Sequence, residues 1–266
     1  MSKLFRVALC VFTLYLTGCS AINIDKKYRS NSYDNRIQWI VLHYTSADFE
    51  RSLHLLTKTT VSSHYLISEQ PVKIYQLVDE NKRAWHAGDS SWRGRTWLNA
   101  TSIGIELVHP GYTEQAGEQV WHDWSTEQID SLIVLLHDIL RRYQLPIESV
   151  IGHSDIAPQR KVDPGPKFPW LRLAQEGMIR WPLAADIDFY EPIFFAELPD
   201  ALWFQEQLAV LGYAIHQSAE FDEQTQQVIS ALQMKYRPSN FSGAADAETA
   251  AILQSLTEQQ KQAQEQ

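Results

Sequence analysis

The chain predicts an α/β or α+β sheet domain followed by a small helical bundle. Three observations carry this. Short β-rich runs alternate with helical stretches as far as Trp181, the pattern of a sheet flanked by helices. Beyond it the composition turns to Gln and Ala, with three short helical segments. At 266 residues and 44% apolar, the chain can bury a core in one medium domain and a second in a small one.

Residues 1–18 open with Lys3 and Arg6, continue through the apolar run "VALCVFTLYLTG", too short to span a bilayer comfortably, and lead to Cys19. The stretch resembles a lipoprotein signal peptide with a lipobox. That resemblance implies cleavage before Cys19 and its acylation, palmitate included. With Ser20 rather than Asp beside it, the resemblance implies an outer-membrane anchor facing the periplasm. Residues 19–36 read as a polar tether. Cys10 leaves with the signal and Cys19 is taken by lipid, so the folded part has no disulfide. Any metal site must then use His and carboxylate.

Residues 37–181 hold the sheet domain. "RIQWIVLHYT" is a strand and "DFERSLHLLT" a short helix; "SSHYLIS" and "VKIYQLV", separated by "EQP", predict a hairpin. "TSIGIELV" is mostly apolar, so it is placed centrally in the sheet. "STEQIDSLIVLLHDILRRYQ" is the clearest helix: Ser125 and Gln128 have capping-box spacing, and Ile129, Leu132, Ile133, Leu136, Ile139, Leu140 and Tyr143 form one stripe. "VIGHSDI" begins as a strand and runs into "GHSDIAPQRKVDPGP", which is too rich in proline for a helix. Residues 182–199 read as a linker and 200–256 as three short helices, the last two opening with Asp-x-x-Thr caps. Residues 257–266 read as a frayed polar tail.

The formal charge of −9 argues against nucleic acid as a partner. The chemistry lies elsewhere. His43 ends one strand, His153 ends another, and Asp163 sits on the loop after it, so three ligands can converge at one sheet edge. Three protein ligands with one open position describe a catalytic zinc site. Singly, each has a plainer reading: a strand-end histidine that is structural, or an Asp before Pro that forms a turn. Spacing alone does not choose among nine histidines.

"IVLHYTS", "VSSHYLIS", "WHAG", "TSIGIELV" and "GHSDIAPQRKVDPGP", in this order, resemble the zinc-dependent N-acetylmuramoyl-L-alanine amidases of the amidase-2 family. The resemblance implies a central mixed sheet flanked by helices, shared with peptidoglycan recognition proteins and phage T7 lysozyme. It implies Zn2+ held by His43, His153 and Asp163, with Glu106 as general base and Lys161 as the cation that stabilises the oxyanion. The bond it implies joins the lactyl group of N-acetylmuramic acid, or its 1,6-anhydro form, to L-alanine of the stem peptide. Peptidoglycan and muropeptides are the implied partners, and cell-wall turnover or recycling the implied role.

Substrate contacts are expected from Tyr44, Thr45, Arg160, Trp85 and His86, although Tyr44 and Trp85 also suit a core. "SSWRGRTW" suits a groove-wall loop or a packed one. The C-terminal helices resemble a peptidoglycan-binding domain, and the alternative is a brace for the sheet domain. Two further readings share these residues: a binding lipoprotein of the same fold that does not cut, and a zinc peptidase acting within the stem peptide.

Overall fold

β1 (Trp39–Tyr44) buries four consecutive residues, Ile40 to His43, which suits an interior strand covered on both faces. After it come α1 (Phe49–Lys58), β2 (Tyr65–Ile67), β3 (Ile74–Gln76), the small hairpin of β4 (Ser91–Trp92) and β5 (Arg95–Thr96), and β6 (Ser102–Leu107). The hairpin of β7 (Tyr112–Gln115) and β8 (Glu118–Trp121), α2 (Thr126–Tyr143), β9 (Val150–Gly152), α3 (His153–Ile156) and α4 (Trp170–Gln175) complete the sheet domain. α5 (Ala184–Ala196), α6 (Ala201–Leu211), α7 (Glu223–Tyr236) and α8 (Ala247–Gln264) follow. This computed structural model describes residues 22–265, so the signal-like segment and Cys19 lie outside the described residues. Residues 22–34 carry no helix or strand and belong to a unit separate from residues 35–266. Among the described residues, no helix is long and apolar enough to cross a membrane.

The main sheet has the order β3-β2-β6-β1-β9. β2, β6, β1 and β9 run parallel and β3 antiparallel, so the sheet is mixed, with β6 in the middle as its apolar sequence predicts. On one face Ile40, Leu42, Ile103, Ile105 and Leu107 meet Ile129, Leu132, Leu136 and Ile139 of α2. Enclosing each such side chain stabilises the fold by roughly 2 kcal/mol. On the other face Leu66 packs under α1 with Leu56, while Val41 and Ile151 pack with Phe204, Leu208, Val228 and Leu253 of the C-terminal helices. The middle of that face, where β6 and β1 end, is left for the site.

Local capping follows the sequence. Asp48, Asp200, Asp222 and Asp246 each accept a backbone N–H three residues on, at the starts of α1, α6, α7 and α8. Ser125 caps α2 by accepting from Gln128 N. The reciprocal half of the capping box does not form. Gln128 is buried, and its amide donates to the carbonyls of Ile67 (3.1 Å) and Val108 (3.0 Å), tying α2 to the sheet.

Three local expectations differ from what is observed. His153–Ile156 form one helical turn inside the proline-rich loop, closed by Ala157 N donating to His153 O before Pro158 ends it. Within the expected linker, 184–196 is the helix α5; it lies along α8, where Ser255 Oγ donates to Asp186 and Tyr190 OH to Glu258. The expected frayed tail continues α8 to Gln264, because Thr257 and Gln260 are buried against the rest of the domain. The "SSWRGRTW" segment packs: it is the β4–β5 hairpin, with Trp92 buried edge-on against Tyr213 at 4.9 Å, while Trp97 is exposed.

Candidate active site

His43 leaves the C-terminal end of β1, and His153 opens α3 directly after β9. β1 and β9 are parallel neighbours, so both histidines emerge at the carboxyl ends of adjacent strands, the usual place for a site in an open α/β sheet. The loop after α3 folds back, and Ser154 N donates to Asp163 O (2.9 Å), which brings Asp163 beside His153. Nδ1 of His43, Nδ1 of His153 and Oδ2 of Asp163 lie 3.0–3.1 Å from one another, all three residues buried.

The hydrogen bonds behind these atoms decide where the protons sit. His153 Nε2 faces the carbonyl of Ala87 at 3.1 Å, and a carbonyl only accepts, so Nε2 carries the hydrogen and Nδ1 the lone pair. For His43 the reasoning runs through three residues. Ser102 Oγ donates to Leu98 O, so it accepts from His86 Nε2; His86 Nδ1 then accepts from His43 Nε2 at 3.0 Å, leaving a lone pair on His43 Nδ1. Two imidazole lone pairs and a carboxylate oxygen point at one spot. This donor set fits a divalent metal, and the three residues form a group able to hold one.

Electrostatics agree. Burial, with His153 beside it, pushes His43 down to about 4, so it stays neutral near pH 7. Burial and His43 likewise keep His86 well below the ordinary histidine value. For Asp163 burial acts upward, but contacts with His153 and His43 outweigh it and hold the carboxyl well below its usual range. Glu106 is pushed up to about 8 by burial and by Asp163, with Lys161 opposing, and its Oε2 has no hydrogen-bond partner.

A groove of about 610 Å³ opens over these residues. Its walls include Leu55 and Leu56 of α1, Tyr112 of β7, Trp85, and Lys161 and Val162 from the loop.

One family model, described as N-acetylmuramoyl-L-alanine amidase, matches residues 33–166. The chain belongs to the N-acetylmuramoyl-L-alanine amidase family. A second model, described as a putative peptidoglycan binding domain, matches residues 197–253 of this amidase. Among curated proteins it is similar to the N-acetylmuramoyl-L-alanine amidase AmiD of Escherichia coli K12, 42% identical, covering 94% of this chain and 96% of the relative. Among solved structures, the complex of E. coli AmiD with anhydro-N-acetylmuramic acid-L-Ala-D-γ-Glu-L-Lys has a TM-score of 0.80 at 42% identity, covering 89% of this chain and 94% of that one. AmpDh3 from Pseudomonas aeruginosa in complex with anhydromuramic pentapeptide gives 0.84 at 38% identity, covering 91% and 99%.

In this amidase Tyr44, Thr45, Arg160, Trp85, Glu106 and Lys161 all line the groove. Trp85 is 47% exposed, with the Arg83 guanidinium 4.1 Å from its ring centre, so it is a surface aromatic and not a core one. Tyr44 is largely buried against Gly111, where a Cβ would meet the Tyr44 ring at 2.6 Å. Arg160 donates from Nε to Asp89 O and from Nη2 to Ala87 O. His86 also lines the groove, with Nδ1 bonded to His43 and Nε2 to Ser102, so it meets the groove with its ring edge and not with a free nitrogen.

Sequence reasoning missed the frame behind the ligands. Asn99 Oδ1 accepts from the backbone N–H groups of His86 (2.9 Å) and Ala87 (2.8 Å), fixing the segment that supports both histidines. A glycine inside an apolar strand was the available signal. A Cβ on Gly104 would sit 2.4 Å from the His86 ring, so only glycine admits it.

Proposed function

We propose that this amidase is zinc-dependent and hydrolyses the amide between the lactyl carbonyl of N-acetylmuramic acid, in its anhydro or ordinary form, and the L-alanine of a stem peptide. The observation that carries the reading is the convergence of His43 Nδ1, His153 Nδ1 and Asp163 Oδ2 at the floor of the groove. The ligands named for AmiD and AmpDh3, both anhydromuramyl peptides, support the substrate class.

When bound, zinc supplies Lewis-acid chemistry, making water a nucleophile near neutral pH and polarising a carbonyl. The rest falls to the chain. Glu106, with an unpartnered oxygen at the groove, takes the proton of the attacking water in its ionised form, for which a pKa of about 8 makes it a stronger base than an ordinary carboxylate, and returns the proton to the departing alanine nitrogen. Lys161, which also lines the groove, stabilises the negative oxygen that forms on the lactyl carbon. Trp85 offers an exposed face to sugar or peptide, Tyr44 and Thr45 line the wall beside His43, and Arg160 keeps Nη1 for a stem-peptide carboxylate. The helices of 200–256 add a contact to peptidoglycan, and acylated Cys19 holds the protein to the outer membrane, facing the periplasm.

Mass spectrometry of products from an anhydromuramyl peptide and from purified sacculi tests this. The expected products are a peptide with a free L-alanine amine and a peptide-free muramyl sugar, formed by the wild type and abolished with zinc loss in His153→Ala. Cleavage within the stem peptide, or full activity in a zinc-free His153→Ala protein, would overturn it.

A further inference from the structure

The C-terminal helices contribute no wall to the groove, yet they reach the loop that carries His153. Asp155, two residues after His153, is 1% exposed. Its Oδ2 accepts from Gly152 N at 2.8 Å, so the carboxylate bridges back over His153 to the residue before it. The same oxygen accepts from Lys235 Nζ of α7 at 2.8 Å, and Oδ1 accepts from the Tyr213 hydroxyl, just past α6, also at 2.8 Å. Both partners are buried. Lys235 Nζ lies 4.3 Å from the Trp170 ring centre, and the Tyr213 ring stands edge-on to Trp92.

We propose that Lys235 and Tyr213 are positioning residues for the catalytic centre: by holding Asp155 they fix the backbone on both sides of His153, making the helical domain part of the hydrolytic apparatus. A buried carboxylate stays in place only with its charge compensated, and here the cation comes from a residue 80 positions downstream. Without Lys235 the carboxylate turns toward water and releases Gly152 N. The turn that opens with His153 then loosens, and His153 Nδ1 departs from the spot it shares with His43 and Asp163. A metal centre tolerates only a few tenths of an ångström of such drift. The inference rests on the zinc reading above.

Lys235→Met and Tyr213→Phe in the full chain test it, read by zinc affinity in competition with a chelator and by kcat and KM on a soluble anhydromuramyl peptide, a substrate too small to need a second binding contact. Lys235→Met is expected to weaken zinc binding by about tenfold or more and to lower kcat with KM little changed. Tyr213→Phe moves the same quantities the same way by less, and it decides the question if Lys235→Met does not fold. Adding Asp155→Asn to Lys235→Met removes both charges and is expected to restore part of the zinc affinity. Gln260→Ala, which loses the contact of α8 with Arg93 without touching 152–163, is expected to lower thermal stability and leave zinc affinity unchanged. Wild-type zinc affinity and kcat in Tyr213→Phe and in folded Lys235→Met would overturn the proposal, as would an equal loss of zinc affinity in Gln260→Ala. A wild-type chain that neither holds zinc nor cleaves the peptide would sink the zinc reading itself, a separate outcome.

Discussion

His43 and Glu106 are register partners on the adjacent parallel strands β1 and β6. Residues paired this way project to the same face of a sheet, so the imidazole proposed to hold a metal and the carboxylate proposed to move a proton emerge side by side without any loop to place them.

Glu106→Gln is therefore expected to leave zinc content unchanged while the hydrolysis rate falls by roughly two or more orders of magnitude, the usual contribution of a positioned base. Metal analysis beside kinetics on a soluble muropeptide checks it. Loss of zinc in this variant would make Glu106 a ligand and the assigned roles wrong.

Glu80 supplies a pH dependence of stability. Burial alone would raise its pKa, but hydrogen bonds from Arg142, Tyr65 and Tyr143 bring it down to about 2. The folded value is lower than the ordinary 4.5, so folding favours the charged form. Its stabilisation is complete above the ordinary value and is lost as pH falls toward about 2. Partial solvent screening limits it to about 1 kcal/mol. Urea unfolding of wild type and Glu80→Gln is expected to show a gap of that size near neutrality that closes in acid. A gap that persists at low pH would show that the charge is not its source.

Cys19→Ser tests the anchor. The variant is expected to accumulate as an unacylated precursor absent from the outer-membrane fraction, because two acyl signals are needed for stable attachment and this residue would carry them. Unchanged fractionation would refute the lipid anchor.

Local chemistry was readable where a single stretch of chain contains both the signal and its partner. Ser125 caps the helix that starts beside it, the stripe from Ile129 to Ile139 faces one side of that helix, and each Asp cap serves an N–H three residues on. That His43, His153 and Asp163 come together was legible for a different reason: an unusual motif stands for a three-dimensional arrangement that spacing cannot derive. α5 was opaque because its apolar residues make no single stripe. Phe189 and Phe195 are exposed while Phe194 packs inward against Trp203, so the helix shows itself only with α8 alongside.

The sequence by itself determined most strands of the main sheet, the helix α2, the three C-terminal helices and their Asp caps, since these depend on interactions within a turn or two of chain, and its motif marked which side chains could carry metal and proton chemistry. Tertiary structure decided how those side chains are aimed. Ser102 of β6 orients His86, and His86, on the loop before β4, orients His43 of β1 through side-chain hydrogen bonds; Gly104 admits the His86 ring by having no side chain, and Asp155 meets its counter-charge on a helix 80 residues away. Such pairings follow from which surfaces pack together, and packing depends on the shape and burial of the whole domain, which no window of sequence contains.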